Sequence, residues 1–150
     1  MTEFEFWEKF VKAKGLDPES KFDGVFGFEA QGFFGAERIA ALLAGKKRAA
    51  FFPYSSYVVD DGLIPVSGEH YIILGAGRQP VCVIQTTRVQ VVPFDQVTME
   101  MVSAEGEDSS VEEWRQKTRE ILEDECLAAG ISFAPDIKLV YMEFEVVFRS

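Results

Sequence analysis

Histidine and cysteine are scarce in this sequence, with one His and two Cys among 150 residues. A single imidazole makes a His-based metal site untenable. Cys82 and Cys126 have no second pair, so neither a disulfide framework nor a Cys-type zinc site is expected. Both fall on apolar patterns, one strand-like and one helix-like, where buried, reduced thiols are the expectation. No metal and no cofactor is predicted. Long apolar runs are also missing. Nothing approaches the roughly 18 consecutive apolar residues of a membrane span. The opening "MTEFEFWEKF" is acidic and amphipathic, unlike a secretory signal or a transit peptide. A cytoplasmic location without a membrane partner is the expectation. Cations are the third shortage: 15 Lys and Arg face 25 Asp and Glu, for a net charge of −10. That balance argues against bulk duplex DNA as a partner, because non-specific grip on a duplex rests on many Lys and Arg contacts to phosphate.

What is present is a foldable chain. A 47% hydrophobic fraction with 14 Phe rules out global disorder and suits one domain over residues 1–150. Against the acidic background one run stands out, "LLAGKKRAAF", where Lys46, Lys47 and Arg48 are consecutive. A local cluster of this kind can override the global sign over a Debye length of roughly 8 Å. A small anionic ligand therefore stays compatible with the composition.

The periodicities place that run. Thr2-x-x-Glu5 reads as a capping box for a helix through Phe4, Trp7, Phe10 and Val11, stopped at Gly15. Residues 16–35, rich in Gly, Phe and Asp, read as an ordered loop. Helical spacing resumes over 34–44 and closes at Gly45. From Ala49 the chain turns β-like: "AAFFPYSSYVV", with Pro53 marking an edge or bulge, then "YIIL", a "GAGRQP" hairpin turn and "VCVIQTTRVQVV". In that last run Val81, Val83, Val89 and Val91 are expected on one face, with Arg88 and Gln90 on the other. Gly75-x-Gly77 lacks the third glycine and following helix of a dinucleotide site. "PFDQVTMEMV" reads as a short helix or turn, and Ser110-x-x-Glu113 as a second capping box opening a helix to Gly130. The closing "KLVYMEFEVVF" alternates, its even positions from Val140 to Phe148 apolar and Glu143 and Glu145 on the wet face. Long strands at 81–92 and 138–148 and a longest helix at 110–129 follow. Strands with no intervening helices of βαβ length argue for a mixed, mostly antiparallel barrel flanked by helices, an α+β fold.

The pieces "FWEKF", "LLAGKKRAA", "PVSGEHYIIL", "PVCVIQTTRVQVVPFDQV", "AEGE", "VEEWR" and "EFEVVF", in that order, resemble the ASCH (activating signal cointegrator homology) family in its longer bacterial branch. The resemblance implies a PUA-like β-barrel with a cleft that takes RNA, a nucleotide or a modified nucleoside. By the same resemblance Lys47 lines the cleft and an acidic residue of "AEGE", Glu105 or Glu107, faces it. Some small family members are similar to amidohydrolases acting on acylated cytidine through a Lys–Thr–Glu set. This chain departs from that pattern. The family run Lys-Lys-Thr-Ala-Thr is here Lys46-Lys47-Arg48-Ala49-Ala50, and the expected nucleophile falls at Ala50, whose methyl group cannot attack a carbonyl. Ser55 and Ser56 lie too far along the strand to stand in. Thr118 occupies the place where the family often has a histidine.

Each candidate also has a plainer role. Lys46–Arg48 would interact favourably with the end of the preceding helix, at about 0.3–1 kcal/mol. Asp108 suits the start of the helix near Ser110, which explains Glu105 and Glu107 less well. Tyr54 and Tyr57 follow the cationic run, as base stacking uses, though strand packing accounts for them too. His70 has no Ser or Cys partner at recognisable spacing. The leading expectation is a binding module that holds its ligand through Lys46, Lys47, Arg48, Tyr54 and Glu105 or Glu107. The alternative is a hydrolase, either amidohydrolase or ribonuclease, in which Lys47 and Glu105 or Glu107 activate water. A third is a member acting through protein contacts. The missing hydroxyls favour binding.

Overall fold

The computed structural model describes residues 1–27, 36–54 and 64–149. Helix α1 spans Glu3–Lys14 and opens with the expected reciprocal cap: Thr2 Oγ1 accepts from the Glu5 amide at 3.2 Å, and Glu5 Oε1 accepts from the Thr2 amide at 3.1 Å. Three further helices follow, α2 over Ala36–Leu43, α3 over Met99–Glu105 and α4 over Val111–Ala129. The strands are β1 Gly24–Phe26, β2 Ala49–Pro53, β3 His70–Leu74, β4 Pro80–Pro93 and β5 Lys138–Arg149. They form one curled sheet in the order β1-β3-β4-β5-β2, antiparallel except for the β1–β3 pair. The sheet is a half-barrel, and the rings of its two edge strands meet: Phe26 stacks on Phe52 with centroids 5.6 Å apart. The long strands, the longest helix and the mostly antiparallel α+β architecture are as the sequence predicts.

Helices cover both faces of this sheet. Alternation along β3 sends Ile72 and Leu74 to α1, where they join Phe6, Trp7 and Phe10, and sends Ile73 to the other side with Ile39 and Leu42 of α2. Along β5, Leu139 and Tyr141 pack under α3 and α4 with Val102, Trp114 and Leu122. Met142 and Phe144 instead face the α2 side. Burying several large side chains of this kind on each face, at about 25 cal/mol per Å² of apolar area, supplies the main stabilisation.

Three expectations need correction. Residues 16–35 are not all loop, since Gly24–Phe26 pairs in parallel with β3. A three-residue strand is too short to show a period, and Gly24 is what lets it approach: a Cβ there would stand 3.2 Å from the Tyr71 ring. The single valine face of β4 is broken by two register shifts, one against β3 at Val81, between the Ile73–Cys82 and Leu74–Pro80 pairs, and one against β5 at Thr87. Val83 therefore joins the α1 cluster, while Val91 is exposed. The cap of α4 is half of a box. Ser110 Oγ accepts from the Glu113 amide at 3.1 Å, but the Glu113 carboxylate turns to the amide and hydroxyl of Ser109. Cys82 and Cys126 are both buried and free, and burial pushes the Cys82 thiol up to about 12. Tyr57, Ser55 and Ser56 lie outside the described residues.

Candidate functional site

The cationic run is placed by backbone chemistry. Helix α2 ends with Gly45 in the left-handed region, φ 79°. The Gly45 amide donates to Leu42 O, and those of Lys46 and Lys47 donate to Ala41 O at 2.9 and 3.2 Å, which satisfies the carbonyls at the helix end. The next two bonds carry the chain across to other elements: the Arg48 amide donates to Ala104 O at 2.7 Å, and Arg48 O accepts from the Phe144 amide at 3.0 Å. Junction 45–48 is thus stitched to the end of α3 and to β5. Its side chains come out alternately exposed, buried and exposed at Lys46, Lys47 and Arg48, with Ala49 and Ala50 in the core.

Gly106 makes this approach possible. It caps α3 at φ 76°, and a Cβ there would lie 2.3 Å from Lys46 O. No side chain fits that space. The turn that brings Glu105 and Glu107 against the junction therefore needs glycine.

The buried cation, Lys47, has a side chain 1% exposed, and its Nζ lies 2.7 Å from Glu107 Oε2 and 3.4 Å from Glu105 O. The Glu107 carboxylate is shared: Arg38 of α2 reaches Oε1 at 2.9 Å and Lys117 of α4 reaches it at 3.5 Å. Lys117 also holds Asp108 at 2.6 Å. Five charged side chains from α2, the junction, the 106–110 turn and α4 form one network. Burial would raise the Glu107 carboxyl, but the charge and hydrogen bond of Lys47, with Arg38 and Lys117, outweigh it and hold the group below the usual range. For Lys117, burial is outweighed by the Asp108 hydrogen bond and the nearby carboxylates, so its ammonium titrates higher than usual.

Glu105 behaves oppositely. Its Oε1 is buried and accepts no hydrogen bond among the described residues. Burial raises the carboxyl to about 7, with the Lys47 charge only partly offsetting it. A carboxyl poised there can exchange a proton at neutral pH.

Beside this network lies an open cleft of about 410 Å³, the size of a small-ligand pocket. Leu42, Leu43 and Val146 give it apolar wall, while Arg48, Thr87, Glu143 and Glu145 give it polar groups. Lys47 also borders it, but the Lys47 ammonium is turned to Glu107, and neither Glu107 nor Glu105 lines it. Glu143 is held in place, its Oε2 accepting from the Tyr141 hydroxyl at 3.0 Å and lying 4.0 Å from Arg88. Burial, then the Glu143 carboxylate, raise the Tyr141 phenol, so at neutral pH that hydroxyl is a fixed donor.

The structure therefore brings Lys47, Glu105 and Glu107 together and sets Arg48 at the cleft. Lys46 is exposed beside it. Tyr54 stands apart, after the end of β2, with the Lys138 ammonium 5.8 Å from its ring centre. Ala50 has no exposure and packs with Met142 and Phe144. Sequence reasoning missed Arg38 and Lys117, single cations in helices with nothing local to mark them. It also missed Thr87 and Glu143, placed by a bulge and by strand parity. Among the described residues no group of three His, Cys, Asp or Glu side chains is arranged to hold a metal ion, and no helix is long and apolar enough to cross a membrane.

Comparison with known proteins agrees with this fold. The sequence pattern of the ASCH domain matches residues 28–148. A crystal structure of a protein from Enterococcus faecalis V583 superposes with a TM-score of 0.82 at 27% identity, over 97% of this chain and 88% of that one. An ASCH domain from Lactobacillus crispatus JV V101 gives 0.78 at 24% identity, over 97% and 94%. The fold is thus the PUA-like half-barrel of ASCH structures. No curated protein matches the chain.

Proposed function

The chain belongs to the ASCH domain family, and from that premise we propose that it is a binding module for single-stranded RNA or a nucleotide, held in the cleft beside junction 45–48. The observation that carries the reading is the pairing of an accessible cation with a preformed cleft. Arg48, at the place of a family threonine, is exposed on its wall, while the neighbouring Lys47 is locked to Glu107 at 2.7 Å. In this reading Arg48 and Lys46 meet phosphate, and the Lys47–Glu107 pair fixes the junction from which they project. A guanidinium suits that task because its planar fork of donors matches phosphate oxygens. The acidic surface, at net charge −10, keeps longer polyanions weak, so the module favours a short strand or single nucleotide over a duplex. Titrating the protein with short single-stranded RNAs, mononucleotides and duplex DNA tests this. Binding of the first two, weakened and made less salt-sensitive by Arg48→Ala, is expected. No binding of either overturns it.

A hydrolase reading has one observation in its favour, the Glu105 carboxyl at about 7 beside Lys47, where a general acid or base works well. Activated water is the route open to it, since residue 50 offers a buried methyl group. Acylated cytidine turned over by the wild type and not by Glu105→Gln, followed by chromatography, would favour this reading over the binding module.

A further inference from the structure

Resting on the cleft reading above, we infer that Glu143 is the residue by which this cleft selects its ligand, accepting a hydrogen bond from an exocyclic amino group on a base. Three observations lead there. First, the cleft is not uniformly cationic. Glu143 and Glu145, at alternate positions of β5, line it together with Arg48. Two carboxylates on one strand face, roughly 7 Å apart, repel phosphate. A nucleotide is therefore oriented, its phosphate towards Arg48 and Lys46 and its base towards β5. Second, an ionised carboxylate is an acceptor only, so what meets it must be a donor. Among the described residues none donates to Glu143 Oε1, because the Tyr141 hydroxyl and Arg88 both address Oε2. Third, the carboxylate is preorganised. Tyr141 is 1% exposed, its ring packed against Phe51 at 5.1 Å between centroids, and it fixes Glu143 without help from a ligand. Among the described residues Glu145, the more exposed of the two, has no such holder. Around these groups Leu42, Leu43 and Val146 provide apolar wall for the body of a base. Thr87, at the bulge of β4, adds a hydroxyl.

The probes are the four common nucleoside monophosphates. Adenine, cytosine and guanine carry an exocyclic amino group, and uracil has a carbonyl instead. For the wild type, AMP, CMP or GMP should bind at least about tenfold more tightly than UMP, the size expected for a hydrogen bond to a charged acceptor. Glu143→Gln, which keeps an oxygen for the Tyr141 hydroxyl and so preserves the local packing, should collapse that ratio towards one. Tyr141→Phe, which leaves the carboxylate in place but unheld, should lower the ratio by a smaller factor. Equal binding of all four by the wild type, or a ratio that survives Glu143→Gln, overturns the inference and leaves the binding module standing. A ratio unmoved by Tyr141→Phe overturns the positioning role of Tyr141. Failure of all four to bind the wild type, with short RNAs also silent, removes the cleft reading itself.

Discussion

Lys47 and Arg48 are neighbours in sequence and opposites in environment. The Lys47 ammonium, at 1% side-chain exposure, sits in a network with Glu107, Arg38, Lys117 and Asp108 in which every group has a partner of opposite charge. Arg48 stands at an open cleft with Glu143, Glu145 and Thr87. The same two regions divide the acidic residues: Glu107 is held ionised by three cations, whereas the carboxylates of β5 face solvent and whatever enters the cleft. Adjacent positions in one cationic run thus have different surroundings. The buried network fixes a backbone junction, and the cleft is where charge remains available. Interactions of the first kind withstand salt and show in stability, while those of the second are screened and show in binding.

The largest effect expected from this division is in the network. Glu107→Ala takes the carboxylate at 2.7 Å from a buried ammonium and should lower unfolding free energy by about 4 kcal/mol in urea titrations. A loss no larger than that of an exposed pair would break the distinction. Gly106→Ala follows, since the added Cβ meets Lys46 O at 2.3 Å on a left-handed backbone. It should cost about 3 kcal/mol in the same assay. Substituting Ala for the left-handed Gly130, where nothing lies within 4 Å of the added Cβ, should cost less.

The third effect depends on pH. Glu105 holds its proton more tightly in the folded state, so its contribution to stability is complete below the ordinary value of 4.5 and is lost as pH rises through about 7. Glu107 acts in the reverse sense: its contribution is complete above 4.5 and is lost as pH falls through its depressed value. Glu105→Gln should therefore remove about 2 kcal/mol of the decline between pH 4.5 and 7 in urea titrations run across that range, leaving the acid limb unchanged. A decline of the same size in the variant would place that titration elsewhere. The smallest stability effect belongs to the cleft, where Arg48→Ala should change unfolding free energy by no more than about 0.5 kcal/mol.

How far the sequence reaches differs between fold and site. The long strands and α4 were legible because each runs through several periods and has a cap or glycine stop. Strand β1 was not, being three residues whose partner, β3, lies far along the chain. The parity of β4 was misread because a register shift leaves no mark in the residue types around Thr86 and Arg88. At the site, the cationic run and the "AEGE" segment were visible as clusters. Which cation would be buried was not, because that depends on the bonds from Arg48 to Ala104 and Phe144, fixed only once α3 and β5 are in place. Arg38 and Lys117 reach Glu107 from helices distant in sequence. Glu143 reads from the alternation as lying on the wet side of β5, yet that same side buries Leu139 and Tyr141, and the place of Glu143 in a cleft depends on the junction beside it.

The central claim is that Lys47 builds the site while Arg48 serves it. The most direct test is to titrate one short single-stranded RNA into folded Lys47→Met and Arg48→Met at low and high salt. Arg48→Met should lose most of the binding seen at low salt and flatten its salt dependence. Lys47→Met, where folded, should keep the wild-type salt dependence with at most a modest loss. Equal losses in the two variants, or a loss confined to Lys47→Met that persists at high salt, would make the buried lysine the ligand's cation and contradict the account.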